Sequence, residues 1–409
     1  MTQLKAFRFQ LKTKPKHELL MSRFAGCCRF VWNKALALQK ERLDKGEPCL
    51  SYNKLAGHLK QWKHEEQTAF LREAPSQILQ QSLKFLDKAI ADAFDKKSPK
   101  GFPRFKKKGT SDSFRYPQGF RVDQNNSRVF LPKIGWIRYR KSRSLTGELK
   151  NITVSRSSGK WYISIQTEAE AGSPVHPSAS MVGIDLGVAK FAKLSDGEEI
   201  LPLNSFRKQE KKLAHLQRKM TKKVKFSQNW KKLKAKVQRL HQKIAHVRHD
   251  FLHKHSTAIS KNHAIVAVED LEVSHMSKSA SGTRDNPGRN IRAKSALNKS
   301  ILDQGWGEFR RQLEYKLAWR GGMLLAVPPA YSSQKCPRCG HAHPDNRKTQ
   351  ELFRCQQCGL TINADYNAAL NILAAGHAVL ACGEIGSQNY SVKQEPAEAS
   401  LEAAGIPRL

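Results

Sequence analysis

Two cysteine pairs restrict the possible folds of this chain more than any other feature. Cys336-Pro-Arg-Cys339-Gly and Cys355-Gln-Gln-Cys358-Gly are separated by fifteen residues. Each pair turns its two sulfurs to one side, and the glycine that follows permits the tight turn. Four thiolates then close a tetrahedral shell suited to zinc. Such a shell has no open coordination position, so the spacing predicts a structural zinc ribbon at 331–359 and says little about chemistry. His341 and His343, beside the first pair, read as loop residues. Cys27, Cys28, Cys49 and Cys382 lack this spacing and read as packing residues.

Charge narrows the partners. The 409 residues carry 72 Lys+Arg against 35 Asp+Glu, a net +37. A chain with that balance repels itself unless a polyanion neutralises it; nucleic acid is the simplest such partner and an anionic membrane surface the competitor. No run approaches the roughly 18 apolar residues that span a bilayer, and the N-terminus has no signal-peptide core. The expectation is a cytosolic protein of two or three domains, in which tight cysteine pairs hold metal and not disulfides.

Along the chain, Leu4 to Lys12 alternates apolar and basic residues as a half-wet strand does. Helical patterns follow at about 16–45, 51–63 and 76–96, the last with Ser76 as a candidate N-cap after Pro75. Tyr52, Gln77 and Gln80 lie on these helices and either face DNA or are merely solvated. Residues 99–110, P-K-G-F-P-R-F-K-K-K-G-T, cannot form a regular helix. They read as a loop displaying Arg104, Lys106, Lys107 and Lys108 with Phe102 and Phe105 between them, either a nucleic-acid contact or a solvated basic linker. Short strands between 113 and 167 suggest a small antiparallel β-barrel joined by the first strand, with the helices as an insertion. Residues 168–178 read as a linker.

Between Arg207 and Lys254 stand seventeen Lys/Arg and two acids. The spacing of Trp230, Leu233, Val237, Leu240, Ile244, Val247 and Phe251 predicts a helical hairpin bent at Thr221–Asn229 and zipped along one seam. Its other faces are cationic, too one-sided for pairing within the helix, and suit a phosphate backbone. Residues 272–299 read as mobile, followed by a helix near 300–319 and a strand at Met323–Val327. Beyond about 380 periodicity is lost, as in a disordered tail.

Three acids stand out against this background. Gly183-Ile184-Asp185-Leu186-Gly187-Val188 reads as a buried strand carrying one carboxylate, with a glycine that lets a ligand or the next strand come close. Ala264–Val268 is a fully apolar strand ending at Glu269. Asn363 and Asp365 open a late helix, one as its cap and the other in its first turn. Singly, each has a plain structural explanation: a salt-bridged core aspartate, a strand end, a helix-start acid. Together they could meet at one edge of a mixed sheet, where their repulsion calls for divalent cations and two Mg²⁺ ions could serve phosphodiester hydrolysis.

The segments G-I-D-L-G-V, I-V-A-V-E-D-L, S-Q-K-C-P-R-C-G with C-Q-Q-C-G, and N-A-D-Y-N-A-A-L-N-I, in this order, resemble the transposon-associated TnpB proteins, the presumed ancestors of type V CRISPR effectors. F-P-R-F-K-K-K and Ala381–Glu384 are also similar to that family, and the likeness covers nearly the whole chain. It implies an α+β multidomain fold. Residues 1–14 and 111–172 would form a wedge-like β-barrel with a helical recognition domain at 15–110. Residues 180–330 and 360–380 would form an RNase H-like (RuvC) nuclease domain, with the basic hairpin at 205–255, the inserted zinc ribbon at 331–359 and a tail at 381–409. The resemblance further implies a guide RNA from the transposon end and Mg²⁺-dependent cleavage of double-stranded DNA beside a short flanking motif. Asp185, Glu269 and Asp365 would be the metal ligands, and Cys336, Cys339, Cys355 and Cys358 the zinc ligands. Tyr52 and Q-I-L-Q-Q would lie near the flanking duplex. Many relatives carry an acid where this chain has Asn363. In this picture the protein is bacterial, cytoplasmic, and nucleoid-associated when bound to DNA. The rival readings are a nuclease-inactive RNA-guided repressor and a DDE-type transposase.

Overall fold

A computed structural model of the chain describes residues 2–381 apart from 99, 111, 171 and 173. It divides after residue 171 into two compact units.

The first unit begins with β1 (Thr2–Lys12), whose alternation buries Phe7, Phe9 and Leu11. Three helices follow, α1 (Pro15–Asp44), α2 (Tyr52–His64) and α3 (Ser76–Phe94), with a 3₁₀ turn at Glu66–Glu73 before the last. Ser76 is not the cap expected of it: Pro75 takes that position, and the Ser76 hydroxyl accepts from Lys63 Nζ at 2.7 Å. The remaining strands are β2 (Ser113–Tyr116), β3 (Arg121–Asp123), β4 (Arg128–Leu131), β5 (Gly135–Tyr139), β6 (Glu148–Ser157) and β7 (Lys160–Glu170). They form one antiparallel sheet in the order β2-β6-β7-β1-β5-β4-β3. The stretch expected to begin a linker at 168 is therefore still strand, paired through Glu168 to Leu4 and Glu148. β1 joins the two halves of the sheet, pairing with β7 over Thr2–Gln10 and with β5 at Leu11 and Lys12. One apolar core runs through sheet and helices alike, so the helices are packed against the strands and not merely appended. The polar Gln39, fully buried, is satisfied by exchanging two 2.7 Å hydrogen bonds with the backbone of Leu50.

The second unit is built on a five-stranded sheet. β8 (Met181–Leu186), β9 (Ala192–Leu194) and β10 (Glu199–Ile200) form an antiparallel meander. The helical hairpin follows as α4 (Arg207–Thr221) and α5 (Gln228–Asn262). β11 (Ile265–Glu269) then pairs parallel to β8. A single turn α6 (Val273–Met276) and the helices α7 (Ile291–Gln304) and α8 (Trp306–Ala318) lead to β12 (Met323–Val327), parallel to β11. The sheet order is β10-β9-β8-β11-β12. The ribbon strands β13 (Leu352–Arg354) and β14 (Thr361–Asn363) come next, and α9 (Ala364–Ala381) closes the unit.

Both sheet faces are covered. Val182, Ile184, Val266 and Val268 point to one side, against Leu252, Ile259, Phe309, Leu313 and Leu317 of α5 and α8. Met181, Ile265 and Ala267 point to the other, against Ile372 and Ala375 of α9. Gly183 explains how closely α9 lies: a Cβ there would stand 2.3 Å from the carbonyl oxygen of Ala369 and 2.6 Å from the Leu373 nitrogen. The close neighbour at Gly183 is thus a helix, while a Cβ at Gly187 would stand 2.9 Å from the Lys190 carbonyl oxygen, on the turn into β9.

Three expectations change. The hairpin seam is buried only at Val237, Leu240 and Ile244, because α4 has 15 residues against 35 in α5; Val247, beyond its reach, is 42% exposed. The helix near 300–319 is two helices, broken at Gly305 with φ 75°. Part of the segment expected to be mobile is helical, since α6 and the start of α7 fall within 272–299. Of the expected tail at 381–409, Ala381 is the last residue of α9, and the rest, with Cys382, lies outside the described residues.

Candidate functional site

The period of two along a strand puts Asp185 on the same side of β8 as Gly183, and Glu269 on the same side of β11 as Ala267, both facing α9. The parallel register pairs Val268 with Ile184, so the next position sets Glu269 beside Asp185, one strand spacing of about 4.8 Å away. Both stand at the C-terminal ends of their strands. α9 begins at Ala364, and Asn363 caps it by accepting from the backbone nitrogens of Asp365 at 3.1 Å and Tyr366 at 3.0 Å. That cap settles Asp365 in the first helical turn. All three carboxylates are half-buried, and Glu269 and Asp365 both act on Asp185. Burial chiefly, then Glu269 and Asp365, pushes the Asp185 carboxyl up to about 7, with Arg347 opposing. Glu269 is also raised by burial, opposed by a hydrogen bond from Ser332 and by Arg347.

Two residues of this cluster were missed in the sequence. Arg347, on the 3₁₀ turn Pro344–Arg347 of the ribbon, reaches Asp365 Oδ1 at 3.4 Å and supplies positive charge among the three acids. Ser332 donates to Glu269 Oε1 at 2.5 Å. Ser332 is in turn fixed by α9: Asn371 Nδ2 donates to the carbonyls of Ser332 at 2.8 Å and Lys335 at 2.7 Å, and Asn367 Nδ2 to Lys335 at 3.1 Å. Asn367 and Asn371, one helical turn apart in an alanine-rich helix, were the legible signal of this brace. Asn371→Ala removes both of its bonds, leaving the Lys335 carbonyl to Asn367 alone, and should lower stability by about 1 kcal/mol; an unchanged denaturation midpoint would show that the brace carries no weight.

The ribbon is assembled next to this cluster. The four sulfurs lie within 4.8 Å of one another, with Cys336–Cys358 at 3.6 Å and Cys339–Cys355 at 3.5 Å. Four thiolates about 2.3 Å from a common centre would stand about 3.8 Å apart, so the donor set fits a tetrahedral, thiolate-preferring ion. Both knuckle glycines take the left-handed backbone their turns require, Gly340 at φ 77° and Gly359 at φ 71°. Among the described residues this is the one cluster so tightly gathered; the three carboxylates are not drawn to that spacing. Hard oxygen donors with mutual repulsion nevertheless suit a divalent cation such as Mg²⁺. His343 is a loop residue, its Nδ1 accepting from the Asp345 nitrogen.

The expected nucleic-acid contacts are mixed. Arg104, Lys107 and Lys108 are exposed. Lys106 is half-buried, its Nζ 4.0 Å from the centre of the Trp32 ring and its backbone nitrogen and carbonyl both bonded to Asn33. Its loop is pinned to α1, which corrects the expectation of free display; Phe102 is packed against the core, while Phe105 is 48% exposed. Gln80 is exposed, Tyr52 is half-buried under Lys84, and Gln77 is half-buried.

Residues 162–280 match the family model OrfB_IS605, described as "Probable transposase"; residues 306–372 match "Cas12f1-like, TNB domain" and residues 1–48 "Helix-turn-helix domain". Over that last span the fold has one strand and one 30-residue helix, β1 and α1. "Putative RNA-guided DNA endonuclease InsQ" of Escherichia coli strain K12 is 61% identical over 97% of this chain and 98% of its own length. A "Putative RNA-guided DNA endonuclease" of Streptomyces pristinaespiralis is 35% identical over 99% and 98%. Among solved structures, the "Cryo-EM structure of the Cas12f1-sgRNA-target DNA complex" aligns with a TM-score of 0.55, covering 91% of this chain and 98% of that one at 14% identity, a likeness of α+β multidomain fold alone. No described helix is long and apolar enough to cross a membrane. By its identity to relatives matched end to end, and by four cysteines inside the matched TNB segment, the chain belongs to the TnpB family, that of the OrfB_IS605 model.

Proposed function

We propose that this protein is an RNA-guided, Mg²⁺-dependent endonuclease of a transposon, cutting double-stranded DNA beside a short flanking motif. In this reading Asp185, Glu269 and Asp365 hold two metal ions in an RNase H-like (RuvC) domain, 180–330 and 360–380. The four cysteines hold structural zinc in the ribbon at 331–359. Residues 1–14 and 111–172 serve as the wedge and 15–110 as the recognition helices for guide and flanking duplex. The protein works in the bacterial cytoplasm, on the nucleoid when bound to DNA. The observation that carries the reading is the placement of Asp185 and Glu269 side by side at the C-terminal ends of β8 and β11, with Asp365 in the first turn of α9, the helix packed on that face, in a chain of net charge +37.

The bound Mg²⁺ ions would activate a water and stabilise the leaving 3′-oxygen. The chain's own groups prepare the site. Ser332 orients Glu269, the Asn363 cap orients Asp365, and Arg347 offsets part of the negative charge. Guide pairing would supply sequence choice while protein groups hold the backbone. The deciding assay incubates the protein and its co-purified RNA with matched plasmid and Mg²⁺. Cuts support the reading; binding without cuts means a guided repressor; strand joining means a transposase, which the description of the matched family model names.

Two further results are expected. Because Asp185 is raised from 3.8 to about 7 in the fold, the folded state holds a proton that the unfolded chain has lost across that window. The group's contribution to metal-free stability therefore falls as pH rises from about 4 to about 7. A cation that needs the carboxylates ionised should then raise the melting temperature at pH 8 and have little effect at pH 5; equal shifts at both would contradict a carboxylate site. Separately, log affinity for nucleic acid should fall steeply with log salt, by about 0.7–0.9 per phosphate neutralised; a flat dependence would remove the electrostatic basis of binding.

A further inference from the structure

The connection between α4 and α5 is an exposed tip that neither the hairpin's packing nor the carboxylate site uses. From Lys219 to Lys236 the chain carries eight lysines and no acid. At its apex Val224 is 80% and Phe226 64% exposed, and neither belongs to the apolar cluster of Leu213, Val237, Leu240 and Ile244 that zips the hairpin. Phe226 holds φ 69°, a left-handed backbone that is a genuine outlier for a bulky side chain and that glycine would adopt without strain. Its ring meets Trp230 at 5.4 Å in an edge-on pair. Lys225 lies 5.5 Å from the Phe226 ring and Lys234 5.0 Å from the Trp230 ring. Ser227 caps α5 by accepting from the Trp230 nitrogen at 3.2 Å, which fixes the first turn that carries the indole.

Folding alone gives no reason to hold a large apolar ring in a strained conformation and in water. Ligand binding does: an aromatic face among lysines takes a base on the ring and the flanking phosphates on the ammonium groups. We propose that Phe226 and Trp230 form a stacking platform for an unpaired base of the bound guide RNA, with Lys222, Lys223 and Lys225 on its phosphates. RNA is the occupant on grounds of charge. A net +37 needs a polyanion that stays bound, and in the guided reading, on which this inference rests, the guide is the standing partner and the target a transient one.

The test uses the full chain and the RNA that co-purifies with it, stripped, labelled and returned. Phe226→Gly should weaken RNA binding by about 5- to 150-fold, the range of one lost base stack, by a similar factor at every salt concentration, and without lowering the melting temperature. Lys225→Gln should instead reduce the salt slope by about one phosphate. Ultraviolet irradiation of the wild-type complex should give RNA adducts on the peptide containing Phe226 and Trp230. Unchanged affinity of Phe226→Gly overturns the proposal, as does a lowered melting temperature with affinity intact, which would make the ring a structural prop. Adducts to target DNA in place of RNA also overturn it. If the wild type cuts guided plasmid while Phe226→Gly binds RNA normally, only the platform fails; if the wild type neither retains RNA nor cuts, both readings fail.

Discussion

Asp185→Ala is expected to abolish cleavage of a matched plasmid, by a thousandfold or more on an order-of-magnitude basis, while RNA-guided binding of the same DNA stays within a few-fold. Asp185 stands between its two fellow acids in influence, since Glu269 and Asp365 both act on it. Removing it takes away the ligand that a shared pair of ions would need. It does not touch the lysine-rich surfaces that hold phosphate backbones. Asp185→Asn keeps the shape and removes the charge, so it should lose activity equally. It should also raise the melting temperature of the metal-free protein at pH 8, because a carboxylate destabilised by burial and by like charge is gone. Retained cutting by either variant would remove Asp185 from the mechanism. A lower metal-free melting temperature for Asp185→Asn would show that the group is an ordinary partner in the core.

Cys355→Ser is the second change of large effect. It removes one of four sulfurs and should bring bound zinc from about one per chain towards zero. The consequence should extend beyond the ribbon. β14 ends at Asn363 and α9 begins at Ala364 with no intervening loop, so the ribbon hairpin delivers Asp365 directly. Arg347 belongs to the same ribbon and touches the same acid. Loss of zinc should therefore depress cleavage strongly, although no cysteine touches DNA chemistry. Unchanged zinc content would refute the four-sulfur site. Lost zinc with full cleavage would show that Asp365 is held by its helix and the Asn363 cap alone.

The parts of this site that were legible in the sequence are those governed by short periods. The apolar runs marked the strands that carry Asp185 and Glu269, whereas the face they share follows only from the parallel register of β8 and β11. The cysteine spacing gave the ribbon, and Asn363 announced the start of α9. Groups that reach the site from irregular backbone left no such trace. Ser332 and Arg347 come from loops of the ribbon, where neither periodicity nor spacing says which way a side chain points. The hairpin seam was overextended because heptad spacing in α5 continues past the end of its 15-residue partner α4. There the same helix changes neighbours and turns Leu252 and Ile259 into the core of the sheet. Composition likewise marks 99–110 as a basic loop, but only tertiary packing shows that Trp32 and Asn33 hold Lys106 down. The left-handed Gly305 that divides α7 from α8 was visible as a glycine, yet nothing local distinguishes a break from a tolerated glycine in a long helix.

The most direct test of the account is to replace Mg²⁺ by Mn²⁺ in crystals of the RNA-bound protein and to locate the ion by its anomalous scattering. The expected result is manganese bridging Asp185, Glu269 and Asp365, absent from the Asp185→Asn variant. Crystals with Mn²⁺ elsewhere and none shared by these carboxylates, from a protein that still cuts guided DNA, would contradict it.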